Sequence, residues 1–245
     1  MDDAGFAGKT VLVVGGSSGI GNGIARGFKG RGAEVHVWGT RAQARDYADE
    51  PGSVLDGLGY SQVDVSSQAA IEAHVPAFER LDVLVLAQGT VVYGRGEFEM
   101  ATFRKVMAVN LDSVMACALK FHPMLKAAGG SVITVSSTSG FRSTKGNPAY
   151  AASKAGEIGL TRTLGEAWAR DGIRVNGIAP GYVDTKLTKV TMADAGRREA
   201  ALKRIPLRRF GTPEEMAGVA LFLASPLASY VCGQTIIVDG GLTLQ

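Results

Sequence analysis

The chain has few of the residues that build metal centres and disulfide frameworks. Its 245 residues include two cysteines, Cys117 and Cys232, and three scattered histidines, His36, His74 and His122. Each cysteine stands alone in apolar surroundings, so no disulfide framework is indicated. The three histidines are not paired with any acid motif, so neither a zinc site nor a Ser-His-Asp triad is indicated. We therefore predict no metal site.

Long apolar runs are also absent, and neither positive nor negative charge is in large excess. No segment approaches the roughly eighteen apolar residues of a membrane span, and the acidic start of the sequence lacks the apolar stretch of a signal peptide. The net charge is +3, with acids and bases mixed along the chain. There is no basic tail or stripe that would attract nucleic acid or a membrane surface. We therefore expect a cytoplasmic protein that binds neither.

What the chain does have is apolar residues and glycine. Hydrophobic residues make up 46%, and 33 glycines are spread among the apolar runs, as in a turn-rich globular fold. We find no internal repeat and no linker, and we predict one domain over residues 1–245.

Short apolar segments alternate with segments of helical periodicity along the whole chain. The predicted strands cover residues 11–14, 34–38, 60–65, 81–87, 131–136, 173–178 and 235–238. The predicted helices cover residues 20–31, 41–49, 68–80, 98–126 and 148–170, and a further helix starts at Thr212-Pro213-Glu214-Glu215, which reads as a capping box. This alternation predicts an α/β fold, a doubly wound parallel sheet with helices on both faces.

The first strand runs directly into a glycine cluster. Gly15, Gly19 and Gly21 follow four apolar residues and open an amphipathic helix. A tight turn and the close approach of a diphosphate to a helix N-terminus both require glycine, so the cluster predicts a dinucleotide site. The alternative is an ordinary glycine-rich turn, since the spacing is GxxxGxG and not GxGxxG.

In such sheets the ligand lies beyond the carboxyl ends of the strands. The residues at these positions are Asp64-Val65, Ala87-Gln88-Gly89, Ser136-Ser137 and Ala179-Pro180-Gly181. We expect Asp64 to accept a hydrogen bond from an adenine amino group. The alternative is that it caps the helix that begins near Ser66.

Tyr150 and Lys154 are four residues apart at the start of a predicted helix, so they share one face. An ammonium beside a phenol stabilises the phenolate and makes the phenol a usable general acid or base. Ser137, at the end of the fifth strand, can deliver its hydroxyl into the same cleft.

Together these segments resemble the short-chain dehydrogenase/reductase family, and the resemblance covers essentially the whole chain. The matching motifs are Gly15-Gly16-Ser17-Ser18-Gly19-Ile20-Gly21, Asp64-Val65, Val109-Asn110-Leu111, Ser136-Ser137, Tyr150-Ala151-Ala152-Ser153-Lys154 and the segment from Arg174 to Gly181. Much of the C-terminal half resembles 3-oxoacyl-carrier-protein reductases, although sugar, steroid and cyclic-alcohol dehydrogenases share that likeness. The resemblance implies a Rossmann fold of about seven strands.

The resemblance also implies roles for particular residues. Tyr150 would donate the proton, Ser137 would orient the carbonyl, Lys154 would bind the cofactor ribose, and Asn110 would hold a water that connects Lys154 to solvent. The expected cofactor-binding residues are Gly15, Ser17, Ser18, Gly19, Ile20, Gly21, Thr40, Arg41, Asp64, Val65, Ala87, Gln88, Gly89, Tyr150, Lys154, Pro180, Gly181, Val183 and Thr185.

The chain departs from the family pattern at two places. Val14 stands where the family usually has Thr, and Leu86-Ala87-Gln88-Gly89 stands for Asn-Asn-Ala-Gly. We expect changed hydrogen bonding along the adenine side there, with Gln88 as a substitute.

The predicted function is reduction of a ketone or oxidation of a secondary alcohol by hydride transfer. The second strand ends in Trp38-Gly39-Thr40-Arg41, with no acid to repel a 2′-phosphate and an arginine to contact it. We therefore favour NADP(H) over NAD(H). The alternatives are an epimerase or dehydratase of this family, and a dinucleotide-binding sensor without turnover.

Two further expectations concern the oligomeric state and a lid over the substrate. The small residues Ala151, Ala152, Ala155, Gly156 and Gly159 let another helix approach the Tyr150 helix, and with the family's habit this predicts a homodimer or homotetramer. The polar segment 187–209 breaks the alternation and is expected to be a substrate lid.

Overall fold

Seven strands form one parallel sheet in a computed structural model that describes residues 5–188 and 193–244. The strands are β1 (Thr10–Val14), β2 (Glu34–Gly39), β3 (Gly59–Gln62), β4 (Val83–Leu86), β5 (Ser131–Val135), β6 (Arg174–Pro180) and β7 (Thr235–Val238). Their order is β3-β2-β1-β4-β5-β6-β7, and every neighbouring pair is parallel. The order reverses between β1 and β4, which places a crevice at the carboxyl ends of these strands. The predicted fold class is confirmed.

Seven α-helices accompany the sheet within the described residues. They are α1 (Gly19–Lys29), α2 (Gln68–Ala73), α3 (Met100–Met107), α4 (Ser113–Ala128), α5 (Pro148–Trp168), α6 (Ala195–Arg204) and α7 (Pro213–Ala224). Alternate residues of each strand point to opposite faces. Val11 and Val13 therefore pack in one core with α1 and α7, whereas Leu12 and Val14 pack in another with α4 and α5. No helix among the described residues is long and apolar enough to cross a membrane.

Several predicted element bounds are wrong. The helix expected over 41–49 is only a 3₁₀ turn, Ala44–Tyr47. The helix expected over 68–80 ends at Ala73, because His74 is extended and Pro76 disfavours helical backbone just before it. The third strand ends at Gln62, short of the predicted Val65.

The helix expected over 98–126 is divided. A π turn over Ala108–Asp112 separates α3 from α4, and such turns are inserted within helices, frequently at functional sites. The capping box at the start of α7 is present: the Thr212 hydroxyl accepts the Glu215 N–H, and the Glu215 carboxylate accepts the Thr212 N–H. Within the expected lid, α6 occupies Ala195–Arg204, and 189–192 lie outside the described residues.

Asp82 joins the starts of β4 and β1 through its buried carboxylate. It accepts the Thr10 N–H at 3.0 Å and pairs with Arg80 at 2.6 Å and Lys9 at 3.1 Å, with 5% of the side chain exposed. Burial raises the pKa of this carboxyl, but these partners together outweigh burial and hold the pKa below its ordinary value.

We expect Asp82→Asn to lower the free energy of unfolding by about 1–3 kcal/mol at neutral pH, because hydrogen bonds to a charged group are lost. A carboxyl with a lowered pKa stabilises the fold above its unfolded pKa, and this is lost as pH falls through the folded value. The difference from wild type should therefore shrink below about pH 3. Urea unfolding at several pH values measures it, with the exposed Asp56→Asn as the control. An equal loss at all pH values would contradict the ionic explanation.

Candidate active site

The turn between β1 and α1 has room for backbone only. Gly15 has a φ of +76°, and a Cβ there would lie 2.7 Å from the Gln88 nitrogen. A Cβ on Gly21 would lie 2.2 Å from the Gly15 carbonyl oxygen. Ser18, the residue before α1, makes no side-chain hydrogen bond to the helix start. The Gly19 N–H donates to the Gly52 carbonyl at 3.1 Å. The next N–H groups of the first turn have no cap from the Ser18 side chain, and an N-terminus of this kind beside the cleft fits a pyrophosphate.

A cleft of about 300 Å³ extends from this turn across the carboxyl ends of the strands. All the expected cofactor-binding residues except Arg41 and Asp64 line it. These are Gly15, Ser17, Ser18, Gly19, Ile20, Gly21, Thr40, Val65, Ala87, Gln88, Gly89, Tyr150, Lys154, Pro180, Gly181, Val183 and Thr185.

Asp64 does not lie in the cleft as expected. Its carboxylate accepts the hydroxyl of Ser66 at 2.7 Å and the Ser66 N–H at 3.0 Å, and these bonds lower the pKa of Asp64. Both bonds end on Oδ1 of the carboxylate, and the adenine contact stays a prediction. The residue that caps α2 is Ser67, whose side chain accepts the Ala70 N–H.

Arg41 lies beside the cleft and does not line it. Its guanidinium stacks over the Tyr47 ring, 4.4 Å from the centroid, and pairs with Glu50. The same carboxylate pairs with Lys186 at 2.8 Å, and Lys186 lines the cleft. The Lys186 hydrogen bond is the largest cause of a lowered pKa of Glu50. Glu50 thus pairs with two cations at the edge of the cleft. The sequence did not indicate this cluster, because Lys186 is 136 positions away from Glu50.

Ser137, Tyr150 and Lys154 meet where β5 and α5 adjoin the cleft. Ser137 is the second residue after β5, and its Oγ accepts the Ser139 N–H at 3.1 Å. Tyr150 lies in the first turn of α5, and the Lys154 Nζ is 6.0 Å from the centroid of its ring. Lys154 is 3% exposed and donates to the Val135 carbonyl and to the Glu157 carboxylate, each at 2.7 Å.

A second cleft, of about 420 Å³, adjoins the first. Both are lined by Ser137 and Tyr150, so the two spaces meet at these side chains. Arg142, Lys145 and Arg204 line the second cleft, and no acidic side chain of the described residues does.

The side chain of Asn110 is engaged in hydrogen bonds within the fold. The π turn buries it completely. Its amide oxygen accepts the Thr90 N–H at 2.8 Å, and its amide nitrogen donates to the Thr90 carbonyl and to the Ser153 hydroxyl. The side chain thus ties the segment after β4 to α5, and the water-holding role implied by the family stays a prediction.

Gln88 connects β4 to α4. Its amide nitrogen donates to the Ser113 hydroxyl at 2.9 Å, while its amide oxygen is buried without a partner in the described part of the chain. At this departure from the family pattern, the Gln88 side chain therefore braces the end of β4 against α4.

Glu97 is a site residue that the sequence did not reveal. It is 1% exposed, and its carboxylate accepts the N–H of Tyr150 at 2.9 Å, the N–H of Val92 at 3.0 Å and the side-chain amide of Asn147 at 3.3 Å. Asn147, the residue before α5, makes no side-chain cap. A carboxylate 53 residues away in sequence therefore caps the helix that carries Tyr150.

Known proteins are similar to this chain in sequence and in architecture. A family model described as enoyl-(acyl carrier protein) reductase matches residues 14–243. The 3-oxoacyl-(acyl-carrier-protein) reductase FabG of Chlamydia muridarum is 39% identical over 248 residues, covering 96% of this chain and 97% of that protein. The 2-dehydro-3-deoxy-D-gluconate 5-dehydrogenase of Bacillus subtilis is 36% identical, covering 96% and 94%.

Among solved structures, a putative 2-deoxy-D-gluconate 3-dehydrogenase of Agrobacterium tumefaciens with bound NADP superposes with a TM-score of 0.88. It is 34% identical and both chains are covered completely. The chain belongs to the short-chain dehydrogenase/reductase family. It is an NAD(P)-dependent oxidoreductase acting on CH–OH or C=O groups, as the sequence predicted.

We expect Glu97→Ala to lower the free energy of unfolding by about 1–3 kcal/mol, because three donors lose their buried acceptor. Turnover should fall too, since Tyr150 loses the bond that fixes its backbone. Chemical unfolding and steady-state kinetics measure the two effects, with the exposed neighbour Glu99→Ala as the matched control. Equal behaviour of the two variants would show that the cap is unimportant.

Proposed function

We propose that this enzyme interconverts a ketone and a secondary alcohol with NADP(H), using Tyr150 as the general acid and base. The observation that carries the proposal is the meeting of the two clefts at Ser137 and Tyr150. A substrate in the second cleft and a cofactor in the first would place the reacting carbon beside both hydroxyls.

The cofactor, when bound, supplies or takes up a hydride at its nicotinamide ring. In reduction, the Ser137 hydroxyl donates a hydrogen bond to the substrate oxygen and orients the carbonyl. Tyr150 then delivers its proton to the oxygen as alkoxide character develops. The ammonium of Lys154 favours the phenolate that remains, and oxidation runs through the same groups in reverse.

The preference for NADP(H) rests on the end of β2. Gly39 presents no acid to the ribose, and Arg41 with Lys186 supplies positive charge near that point. The relatives with bound NADP agree with this preference. Glu50 holds both cations, so a 2′-phosphate would compete with its carboxylate.

The basic lining of the second cleft favours a substrate that carries negative charge or many hydroxyls. Arg142, Lys145 and Arg204 supply that charge. A panel of keto acids, sugar acids, acyl thioesters and cyclic ketones, read through the absorbance of the reduced cofactor, tests this proposal. An epimerase or dehydratase would turn over without net absorbance change, and a sensor would bind cofactor without turnover.

Three further expectations are part of the proposal. A homodimer or homotetramer is supported by the exposed Ala152 and Ala155 on α5. A lid over 187–209 is supported by Leu187 and Thr188, which line both clefts. A cytoplasmic location is supported by two free cysteines and the mixed surface charge.

Tyr150→Phe should lower kcat by about 10²- to 10⁴-fold, because the ring remains but the proton donor is lost. Cofactor affinity should change little, since the glycine turn and Lys154 are intact. Steady-state kinetics and fluorescence titration of NADPH measure the two effects. A nearly fully active variant would show that another group donates the proton.

Arg41→Ala should weaken NADP⁺ binding by about tenfold, the size of one charge-assisted contact, and leave NAD⁺ binding nearly unchanged. Glu50→Gln should act oppositely and strengthen NADP⁺ binding, because the two cations lose their internal partner. Calorimetric titration with both cofactors measures this, and the exposed Arg45→Ala controls for net charge. Equal losses for both cofactors would contradict the assignment.

A further inference from the structure

Lys154 has a partner that the catalytic pattern does not include. Glu157, one turn further along α5, is completely buried, and its Oε2 accepts from the Lys154 Nζ at 2.7 Å. Its other oxygen, Oε1, has no hydrogen-bond partner among the residues that the structure describes. The carboxylate is therefore committed to the lysine.

The ammonium of Lys154 has three N–H donors, and the structure shows partners for two of them. One N–H is directed to Glu157 and a second to the Val135 carbonyl of β5, each at 2.7 Å. Lys154 also lines the cofactor cleft. The third N–H is thus the one left for a ligand in that cleft.

Packing alone does not explain a carboxylate at this position. Removing two charges from water is costly, and replacing a buried ion pair by apolar residues of similar volume is often neutral or stabilising. Leu164, two turns further along the same face, shows that this side of α5 accepts a buried apolar side chain. A function for the charge is therefore the better explanation.

The two charges depend on each other. Burial acts to lower the pKa of Lys154, but Glu157 and Tyr150 oppose burial and the pKa is raised. Burial raises the pKa of Glu157 to about 7, although Lys154 counteracts it. The titratable groups that act on the pair are thus each other and the Tyr150 side chain. Val135 contributes a carbonyl, and the adjoining π turn contributes the uncharged Asn110.

We propose that Glu157 is a positioning residue for cofactor binding, which anchors the charged ammonium of Lys154 against β5 and leaves one N–H for a ribose hydroxyl. This proposal rests on the proposed function, because it takes Lys154 as the ribose ligand.

The test is NADP⁺ affinity, measured by calorimetry from about pH 7.5 to about pH 10, above the titration of the 2′-phosphate. Wild-type affinity should be nearly constant. Glu157→Gln keeps a hydrogen-bond acceptor but removes the charge, so burial should pull the pKa of Lys154 down. Its affinity should match wild type within about threefold at the lower pH and fall about tenfold as pH rises. Glu157→Leu also loses the anchor and should bind more weakly throughout.

Lys154→Ala provides the control. It should bind weakly without a pH step, and Glu157→Gln added to it should change nothing further. A second measurement is the rate at which an amine-acylating reagent modifies Lys154, read by mass spectrometry. The rate should rise in Glu157→Gln, where more of the amine is neutral.

A Gln variant with wild-type affinity, pH profile and acylation rate would overturn the proposal and make Glu157 a structural residue. If instead Lys154→Ala binds NADP⁺ as wild type does, the ribose contact in the proposed function fails, and the proposal fails with it. The two failures are therefore distinguishable.

Discussion

The ammonium of Lys154 lies where the sheet, helix α5 and the cofactor cleft meet, in a place that water hardly reaches. A charge there persists only if protein groups replace its hydration. The Val135 carbonyl and the Glu157 carboxylate do so, and both belong to elements that are fixed for other reasons. Val135 is the last residue of β5, which has parallel neighbours on both sides, and Glu157 is on a 21-residue helix. The position of the charge is thus a property of the whole fold.

The parts of the site that are local in sequence were predictable. Glycines at fixed spacing after an apolar strand, a Tyr and Lys one turn apart, and the Thr212–Glu215 capping box each obey rules that operate within a few residues. The parallel pairing of the strands follows from their alternation with helices. These features survive in the structure because local contacts are enough to specify them.

The sequence analysis was wrong or silent where several contacts compete for one residue, or where two interacting residues are far apart in the chain. The segment 41–49 has helical composition, but Arg41 and the Tyr47 hydroxyl are engaged with other groups, and only one 3₁₀ turn forms. Glu97 and Glu50 act on residues 53 and 136 positions away. No periodicity reports such pairs.

The bond from Tyr150 to Glu97 has a consequence for redesign of specificity. The segment after β4 carries Val91 and Tyr93, which line the second cleft, and the same segment ends in the carboxylate that caps α5. A loop grafted here to admit a new substrate would replace the wall of the cleft and the support of the proton donor in one step. A graft that retains Glu97 changes the wall of the cleft and keeps the support of Tyr150. The substrate range can then change while the chemistry stays the same.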